Sequence, residues 1–193
     1  MLLTSGQSDR EVGMVEEAGL ARTESGLVPE GEGWFVVNAR ESRWWHHDTF
    51  GPAVTFEGEA RFPDFGINIQ VLSPGQPNCL YHRENAQEDF LVLSGECLLL
   101  IEGEERPLKQ WDFVHCAPRT EHVFVGAGSG PCAILMVGAR PDPEELFYPA
   151  AEVARKHNAG AEQDTPSPEE AYAPFERPTE GAYREGMLPN LGD

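Results

Sequence analysis

From residue 66 to residue 139 the sequence repeats one pattern, in which short apolar or alternating runs are closed by glycine or proline. The run GINIQVLSPG (66–75) shows it well, because isoleucine and valine alternate with asparagine and glutamine until a Pro-Gly pair. Strict alternation over this length is typical of a β-strand with one buried face, and the Pro-Gly pair marks a turn. Such a chain is expected to fold as packed β-sheets.

The same pattern predicts roughly nine or ten short strands at a spacing of about 8–12 residues. They are expected at 33–39, 53–58, 66–72, 79–84, 88–95, 96–108 with a turn near Gly103, 111–118, and 122–139 as two strands. No helical periodicity separates these runs. The sequence therefore predicts an all-β sandwich or barrel.

The two ends of the chain differ from this middle part in composition. Acids outnumber bases by 7 to 2 in residues 1–33 and by 12 to 4 in residues 141–193, against 14 to 8 in residues 34–140. Charged segments rich in glycine and proline favour solvated chain over packed structure. We therefore predict a flexible acidic N-terminal arm (1–33), a β-barrel (34–140), and a short helix followed by a Pro-rich acidic tail (141–193).

Charge and hydropathy limit the partners and the compartment. A net charge of −19 would repel nucleic-acid phosphates and anionic membranes, so neither is expected as a partner. No run approaches 18 apolar residues and no signal peptide is visible, which favours a cytoplasmic protein. Three of the four cysteines lie in apolar runs, and none forms a C-x-x-C pair, which favours buried reduced thiols.

Two histidines and two glutamates stand near the ends of predicted strands. His82 and Glu84 are two residues apart and share one face of a strand. Glu88 begins the next strand and His122 begins a later one. If these strands converge, imidazole and carboxylate groups would suit a borderline divalent cation. The alternative is that these side chains face solvent, but an inward carboxylate at Glu88 would be costly without a cation.

The run from Gly75 to Gly95 resembles the first motif of the cupin superfamily, G-x5-H-x-H-x3,4-E-x6-G. His82 and Glu88 fall at motif positions, with one extra residue after Gly75. Glu84 stands where the second histidine of the motif is usual. The similarity is to small single-domain cupins of the cupin 2 type.

The second cupin motif, G-x5-P-x-G-x2-H-x3-N, is matched mainly at its histidine, which is His122. The resemblance covers about residues 66–140. It implies a jelly-roll β-barrel that holds one divalent metal ion per chain, with Zn, Fe, Mn and Ni as the candidates. The implied ligands are His82, Glu88 and His122, together with Glu84, which would either ligate the metal or bind a metal-bound water.

Such barrels host many activities, so the resemblance implies the function only coarsely. We expect a metal-dependent enzyme of dioxygenase or isomerase type acting on a small oxygenated molecule. The alternative is a non-catalytic protein that binds or senses a small molecule. Small cupins often pair through their sheets, so a homodimer is also expected.

Other polar side chains have less defined roles. Asn68, Gln70 and Asn78 either point into the mouth of the barrel or face solvent. Arg119 stands near His122 in the sequence, where it would either bind an anionic substrate or be a solvated surface residue.

The remaining histidines and the tryptophans are expected to be structural. His46 and His47 are adjacent, so on a strand they would face opposite ways, and surface or interface positions are favoured. His115 lies between Val114 and Cys116 and is expected to be a packed structural residue. The tryptophans would either line a pocket or pack in the core or at a dimer interface, and packing is expected of Trp34, Trp44, Trp45 and Trp111.

Overall fold

The structure is a computed structural model that describes residues 14–189. Residues 1–13 of the predicted arm and residues 190–193 of the predicted tail lie outside this range. The strands are β1 (Gly19–Thr23), β2 (Gly26–Glu30), β3 (Trp44–His46), β4 (Ala53–Val54), β5 (Phe65–Leu72), β6 (Arg83–Glu84), β7 (Glu88–Ser94), β8 (Glu96–Ile101), β9 (Glu104–Lys109), β10 (Phe113–Cys116), β11 (His122–Ala127), β12 (Cys132–Ala139), β13 (Leu146–Phe147) and β14 (Thr179–Gly181). Two helices of one turn each, α1 (Glu152–Arg155) and α2 (Pro168–Ala171), complete the described chain.

Two antiparallel sheets face each other and form the predicted jelly-roll barrel. The larger sheet has seven strands in the order β10-β7-β12-β5-β4-β3-β14, and the smaller has three in the order β11-β8-β9. The apolar interior is formed by Leu72, Phe90, Val92, Val114, Cys116, Cys132, Ile134 and Met136 from the larger sheet and by Cys97, Leu99 and Phe124 from the smaller sheet. The expected all-β fold is therefore confirmed.

The strong alternation at 66–75 corresponds to β5, which pairs with β12 along its whole length. The strand predicted at 33–39 is wrong, because this segment forms only an isolated bridge between Trp34 and Glu17. Its side chains do alternate in exposure, but the edge of the larger sheet beside β3 is already occupied by β14. A segment with a strand-like sequence pattern forms no regular strand when no free sheet edge is available to pair with it.

The N-terminal segment is more regular than its composition indicates. We expected an irregular arm over residues 1–33, but β1 and β2 form an antiparallel hairpin. Gly26 enters β2 with a φ of +125°, and a β-carbon there would lie 2.5 Å from the carbonyl of Ser42. A glycine that would lower strand propensity elsewhere is thus required here by the turn and by the close approach of the backbone.

The C-terminal segment packs against the barrel along most of its described length. Helix α1 and the following loop bring Ala154 and Ala159 onto Tyr81 and Val123, on the outer side of the smaller sheet. Strand β14 extends the larger sheet by pairing with β3. The predicted C-terminal tail is therefore draped over the barrel for much of residues 141–189, because single apolar residues between the prolines still find partners.

Two further observations bear on the sequence predictions. All four cysteines are free thiols, and Cys97, Cys116 and Cys132 are buried as expected. Among residues 14–189, no helix is both long and apolar enough to cross a membrane.

Candidate metal centre

The backbone places His82 and His122 side by side. The two residues form an isolated antiparallel bridge, in which the His122 amide donates to the His82 carbonyl at 2.9 Å and the His82 amide donates to the His122 carbonyl at 3.2 Å. Their ring centroids are 5.1 Å apart. A pair that is 40 residues apart in the sequence therefore meets because strand β11 begins where the chain enters β6.

Both imidazoles are held in the same tautomer. Nδ1 of His82 lies 2.9 Å from the carbonyl oxygen of Leu80, and Nδ1 of His122 lies 3.0 Å from that of Thr120. A carbonyl only accepts hydrogen bonds, so each Nδ1 carries the proton and donates it. Each Nε2 is left with a free lone pair, which is the arrangement that neutral histidine ligands of metals adopt.

Glu88 adds an oxygen to this pair. It begins β7, and its Oε2 lies 3.2 Å from Nε2 of His122. One ligand atom from each of His82, Glu88 and His122 lies within 4.8 Å of the other two. The structure thus brings together three of the four residues that the sequence indicated.

Glu84 lies in the same cavity but outside this group of three. It lines the cavity together with Glu88, and a β-carbon built at Gly138 would lie 3.8 Å from a carboxylate oxygen of each. Gly138 therefore leaves room for two carboxyl groups on one side of the site. Direct ligation by Glu84 stays a prediction.

Burial and like charge perturb the pKa values of the two histidines, Glu84 and Glu88. Burial lowers the pKa of His82 to about 3, with a further contribution from His122, and it also lowers the pKa of His122. Burial raises the pKa of Glu84 to about 7, and the negative charge of Glu144 adds to the effect. Burial likewise raises the pKa of Glu88 to about 8, and repulsion from Glu84 adds to it. Without a cation the site favours uncharged side chains.

This donor set fits a divalent cation. Two imidazole nitrogens and a carboxylate face one another, and all three are acceptors once the carboxyl has lost its proton. A bound cation would satisfy all three and would offset the cost of the buried carboxylates. The nearby guanidinium of Arg140 does not supply that charge, because it forms a two-pronged ion pair with Glu57 at 2.8 and 2.9 Å.

The cavity above these residues has a volume of about 270 Å³. Its wall includes Asn68, Gln70 and Asn78, so the inward alternative holds for all three. The sequence interpretation missed Arg140 and Glu144, which also line the cavity. Both follow β12 in a segment without strand periodicity, so no pattern pointed to them.

Arg119 and His115 lie outside this cavity. The Arg119 side chain is exposed and lies 3.4 Å from Glu145, as the solvated alternative predicts. The expectation for His115 is wrong, since its side chain is about half exposed and pairs with Asp89 at 2.7 Å. On an edge strand the side chain that faces away from the core reaches solvent.

His46 and His47 bind the C-terminal segment. Nε2 of His46 lies 3.0 Å from the carbonyl oxygen of Ala182, and Nε2 of His47 lies 2.8 Å from that of Glu176.

Of the four tryptophans, Trp44 is fully buried as expected, whereas Trp34 and Trp111 are more than half exposed. Trp45 lines a second cavity.

Comparisons with known proteins found one family model and several solved structures to which this chain is similar. Residues 68–138 match the family model described as "Cupin domain". Similar solved structures include a provisionally named sugar phosphate isomerase from Acidithiobacillus ferrooxidans (27% identity, 43% of this chain and 55% of that protein, TM-score 0.41). Others are a sugar phosphate isomerase of the cupin superfamily from Silicibacter pomeroyi (24%, 57% and 68%, TM-score 0.46) and the polyketide cyclase RemF from Streptomyces resistomycificus (14%, 56% and 81%, TM-score 0.48).

The aligned region spans only about half of the Acidithiobacillus protein. All three TM-scores are below 0.5, so these similarities identify neither a substrate nor a reaction. No curated protein matches the chain.

Proposed function

We propose that this chain, whose residues 68–138 match the Cupin domain family model, is a metal-dependent enzyme acting on a small oxygenated molecule. The observation that carries the proposal is the convergence of two tautomer-fixed imidazoles and one carboxylate in one cavity, with a second carboxyl group beside them. Perturbed titratable groups in a cleft are typical of functional sites.

His82, Glu88 and His122 would hold the metal, which would polarise a carbonyl or hydroxyl oxygen of the substrate as a Lewis acid. The Nδ1 hydrogen bonds to Leu80 and Thr120 keep both rings oriented for this task. The buried position of His122 limits the access of water to that side of the site.

We favour isomerase-type chemistry because Glu84 supplies a carboxyl group that lies beside the three proposed metal ligands and is not one of them. A general base works best when its pKa is close to the working pH, and burial raises the pKa of Glu84 to about 7 in the metal-free site. The Glu84 carboxylate would take a proton from the carbon next to a carbonyl group. After exchange with solvent it would deliver a proton to the former carbonyl carbon, while the hydroxyl proton moves from one oxygen to the other, so that an aldehyde and a ketone interconvert with no electrons gained or lost.

Dioxygenase-type chemistry is the second candidate. Two histidines and one carboxylate with open positions are the donor set of non-haem Fe(II) oxygenases. Here Glu84 would orient the substrate instead of carrying a proton. A protein that binds a small molecule without turnover remains the non-catalytic alternative.

The metal site is tested by elemental analysis of protein purified without chelator. We expect stoichiometric metal in the wild type and in Glu84→Gln, and strongly reduced metal in His82→Ala, Glu88→Ala and His122→Ala. Undiminished metal in His122→Ala would contradict the assignment.

The type of chemistry is tested on the metal-loaded protein with small hydroxy-aldehydes and hydroxy-ketones in D₂O. Isomerase-type chemistry predicts anaerobic incorporation of solvent deuterium at the carbon next to the carbonyl group, abolished in Glu84→Gln with metal retained. Substrate-dependent consumption of O₂ by the Fe(II) protein would instead support the second candidate.

A further inference from the structure

A second cavity of about 880 Å³ lies beside the metal-site cavity. Its floor is the inner face of the larger sheet, where Trp45 is in register with Ala53 and Ala53 is in register with Gln70. Its opposite wall is formed by residues 168–178 of the C-terminal segment. We call this cavity the aromatic chamber.

Rings form much of its lining. The Phe50 ring centroid lies 4.9 Å from that of Phe175, 5.4 Å from that of Tyr172 and 4.7 Å from that of His47. Such tilted and edge-on ring pairs favour further aromatic partners, because they leave ring faces and edges for another ring to contact. A concave, mainly apolar and aromatic cavity is typical of small-molecule sites.

The wall made by the C-terminal segment is fixed in place. The Tyr172 hydroxyl accepts a hydrogen bond from the Leu80 amide at 3.0 Å. Nδ1 of His47 accepts from backbone amides of its own loop, so its Nε2 carries the proton and donates to the Glu176 carbonyl at 2.8 Å. Strand β14 then joins the sheet directly after this wall. The aromatic chamber is therefore part of the folded structure.

The two cavities share a border of three residues, Gln70, Asn78 and Cys79, which line both. Sγ of Cys79 lies 3.6 Å from Nδ1 of His82, so the aromatic chamber begins next to a proposed metal ligand. The Gln70 side chain is about nine-tenths buried, and its Nε2 donates to the carbonyls of Phe50 and Asn78. Its Oε1 accepts no hydrogen bond from any residue between 14 and 189, which leaves an acceptor at the border for a bound molecule.

The charges of the aromatic chamber lie at its rim. Glu169, Glu176 and Arg177 are exposed, whereas the side chains deeper in the chamber are uncharged. The metal-site cavity shows the opposite character, with Glu84, Glu88 and further polar groups in its lining. A molecule that fills both would be neutral and aromatic at one end and oxygen-rich at the other.

We propose that the aromatic chamber binds the ring portion of the substrate while the oxygen-bearing end of the same molecule occupies the metal-site cavity. This inference rests on the proposed function and narrows its substrate class to aromatic compounds that carry an oxygenated side group. The Gln70 amide lies at the junction, where its free oxygen accepts a hydrogen bond from a hydroxyl of that side group.

Two hydroxamates with the same metal-binding group test the inference on zinc-loaded protein. Acetohydroxamate has no ring, and 2-naphthohydroxamate carries one that the aromatic chamber would bury. Calorimetric titration should show that the ring compound binds roughly ten- to a hundredfold more tightly, as burial of an aromatic group gives.

Two variants fill the aromatic chamber from opposite sides, Ala53→Phe from the sheet and Ala173→Phe from the exposed C-terminal segment. Both should lose the preference for the ring compound and keep the wild-type affinity for zinc and acetohydroxamate. The matched control is Ala60→Phe, at an exposed position that lines neither cavity, and it should keep the preference. A wild type without the preference, or filled variants that retain it, would overturn the inference.

Failure of zinc or acetohydroxamate to bind would count against the proposed metal site instead. The aromatic chamber is then tested by 2-naphthol, which has the ring without the hydroxamate. Binding to wild type and Ala60→Phe, with loss in Ala53→Phe and Ala173→Phe, supports the chamber. Equal binding to all four proteins, or binding to none, refutes it.

Discussion

The substitution Glu88→Gln is expected to remove most of a pH dependence from the stability of the metal-free protein. Burial raises the pKa of Glu88 to about 8 from an ordinary value of 4.5, and Glu84 and Glu144 add repulsion. A carboxyl group whose pKa is higher in the folded protein than in the unfolded chain stabilises the folded state most at pH values below its pKa in the unfolded chain. That contribution is lost as the pH rises through the folded pKa.

The pKa values of the two histidines set the lower limit of the pH range in which the effect of Glu88 on stability can be measured alone. The pKa of His82 is lowered to about 3, and that of His122 is also lowered, from an ordinary value of 6.5. A histidine whose pKa is lowered by folding destabilises the folded state as the pH falls below about 6.5, because its imidazole then becomes protonated only in the unfolded chain. Below this pH the histidines and the carboxyl groups oppose each other, and above it the carboxyl groups act alone.

The magnitude follows from this window. From pH 6.5 to pH 8 spans about 1.5 pH units, and each unit of uncompensated proton release corresponds to about 1.4 kcal/mol, so the loss from Glu88 is about 2 kcal/mol. A glutamine at this position has nearly the same shape and does not titrate. The free energy of unfolding of Glu88→Gln should therefore decline much less over the same range, and the remaining decline would come from Glu84, whose pKa is also raised.

Urea unfolding of chelator-treated protein at about pH 6.5 and about pH 8 measures this difference. The matched control is Glu96→Gln, at an exposed position on β8, which should keep the wild-type pH dependence. An equal decline in wild type and Glu88→Gln would refute the assignment of the effect to this carboxyl group. Added zinc should stabilise the wild type more at the higher pH, because its ligands bind in their unprotonated forms.

Three further predictions concern the stability and the oligomeric state of the protein. His47→Ala removes the acceptor of two backbone amides and the contact with Glu176, and should lower the free energy of unfolding by about 1–3 kcal/mol. Gly126→Ala would place a β-carbon 2.1 Å from the Ser73 carbonyl oxygen, with an expected loss of about 1–3 kcal/mol, whereas Gly130→Ala meets no atom within 4 Å and should be nearly neutral. Light scattering at micromolar concentration should give the mass of a homodimer, and a monomer would contradict that expectation.

The candidate metal ligands could be predicted because each stands at a strand end whose direction is set by local alternation. Glu88 precedes Phe90 and Val92, two core residues of β7, so its inward orientation follows from the period of two. His122 likewise begins the buried strand β11. Local patterns of this kind fix the face on which a side chain lies before the partners of the strand are known.

Glu144 and Arg140 could not be predicted in this way, because both lie beyond the last periodic strand. Their place beside the site depends on the path that the chain takes after β12, which no residue pattern encodes. Glu144 nevertheless contributes to the raised pKa values of Glu84 and Glu88, so the electrostatics of the site depend on a residue without a sequence signal.

The aromatic chamber shows most clearly the difference between residues that a local sequence pattern reveals and residues that long-range contacts position. Its wall contains Tyr172 and Phe175, which stand singly among prolines and acids in a segment whose composition favours solvated chain. They are positioned by the pairing of β14 with β3, across more than 130 residues of sequence, and by the hydrogen bond from His47. The proposed metal chemistry thus resides in residues that a local pattern reveals. The preference for one substrate over another would reside in a wall whose placement depends on long-range pairing, so relatives that keep the cupin motif but differ in this segment should differ in substrate.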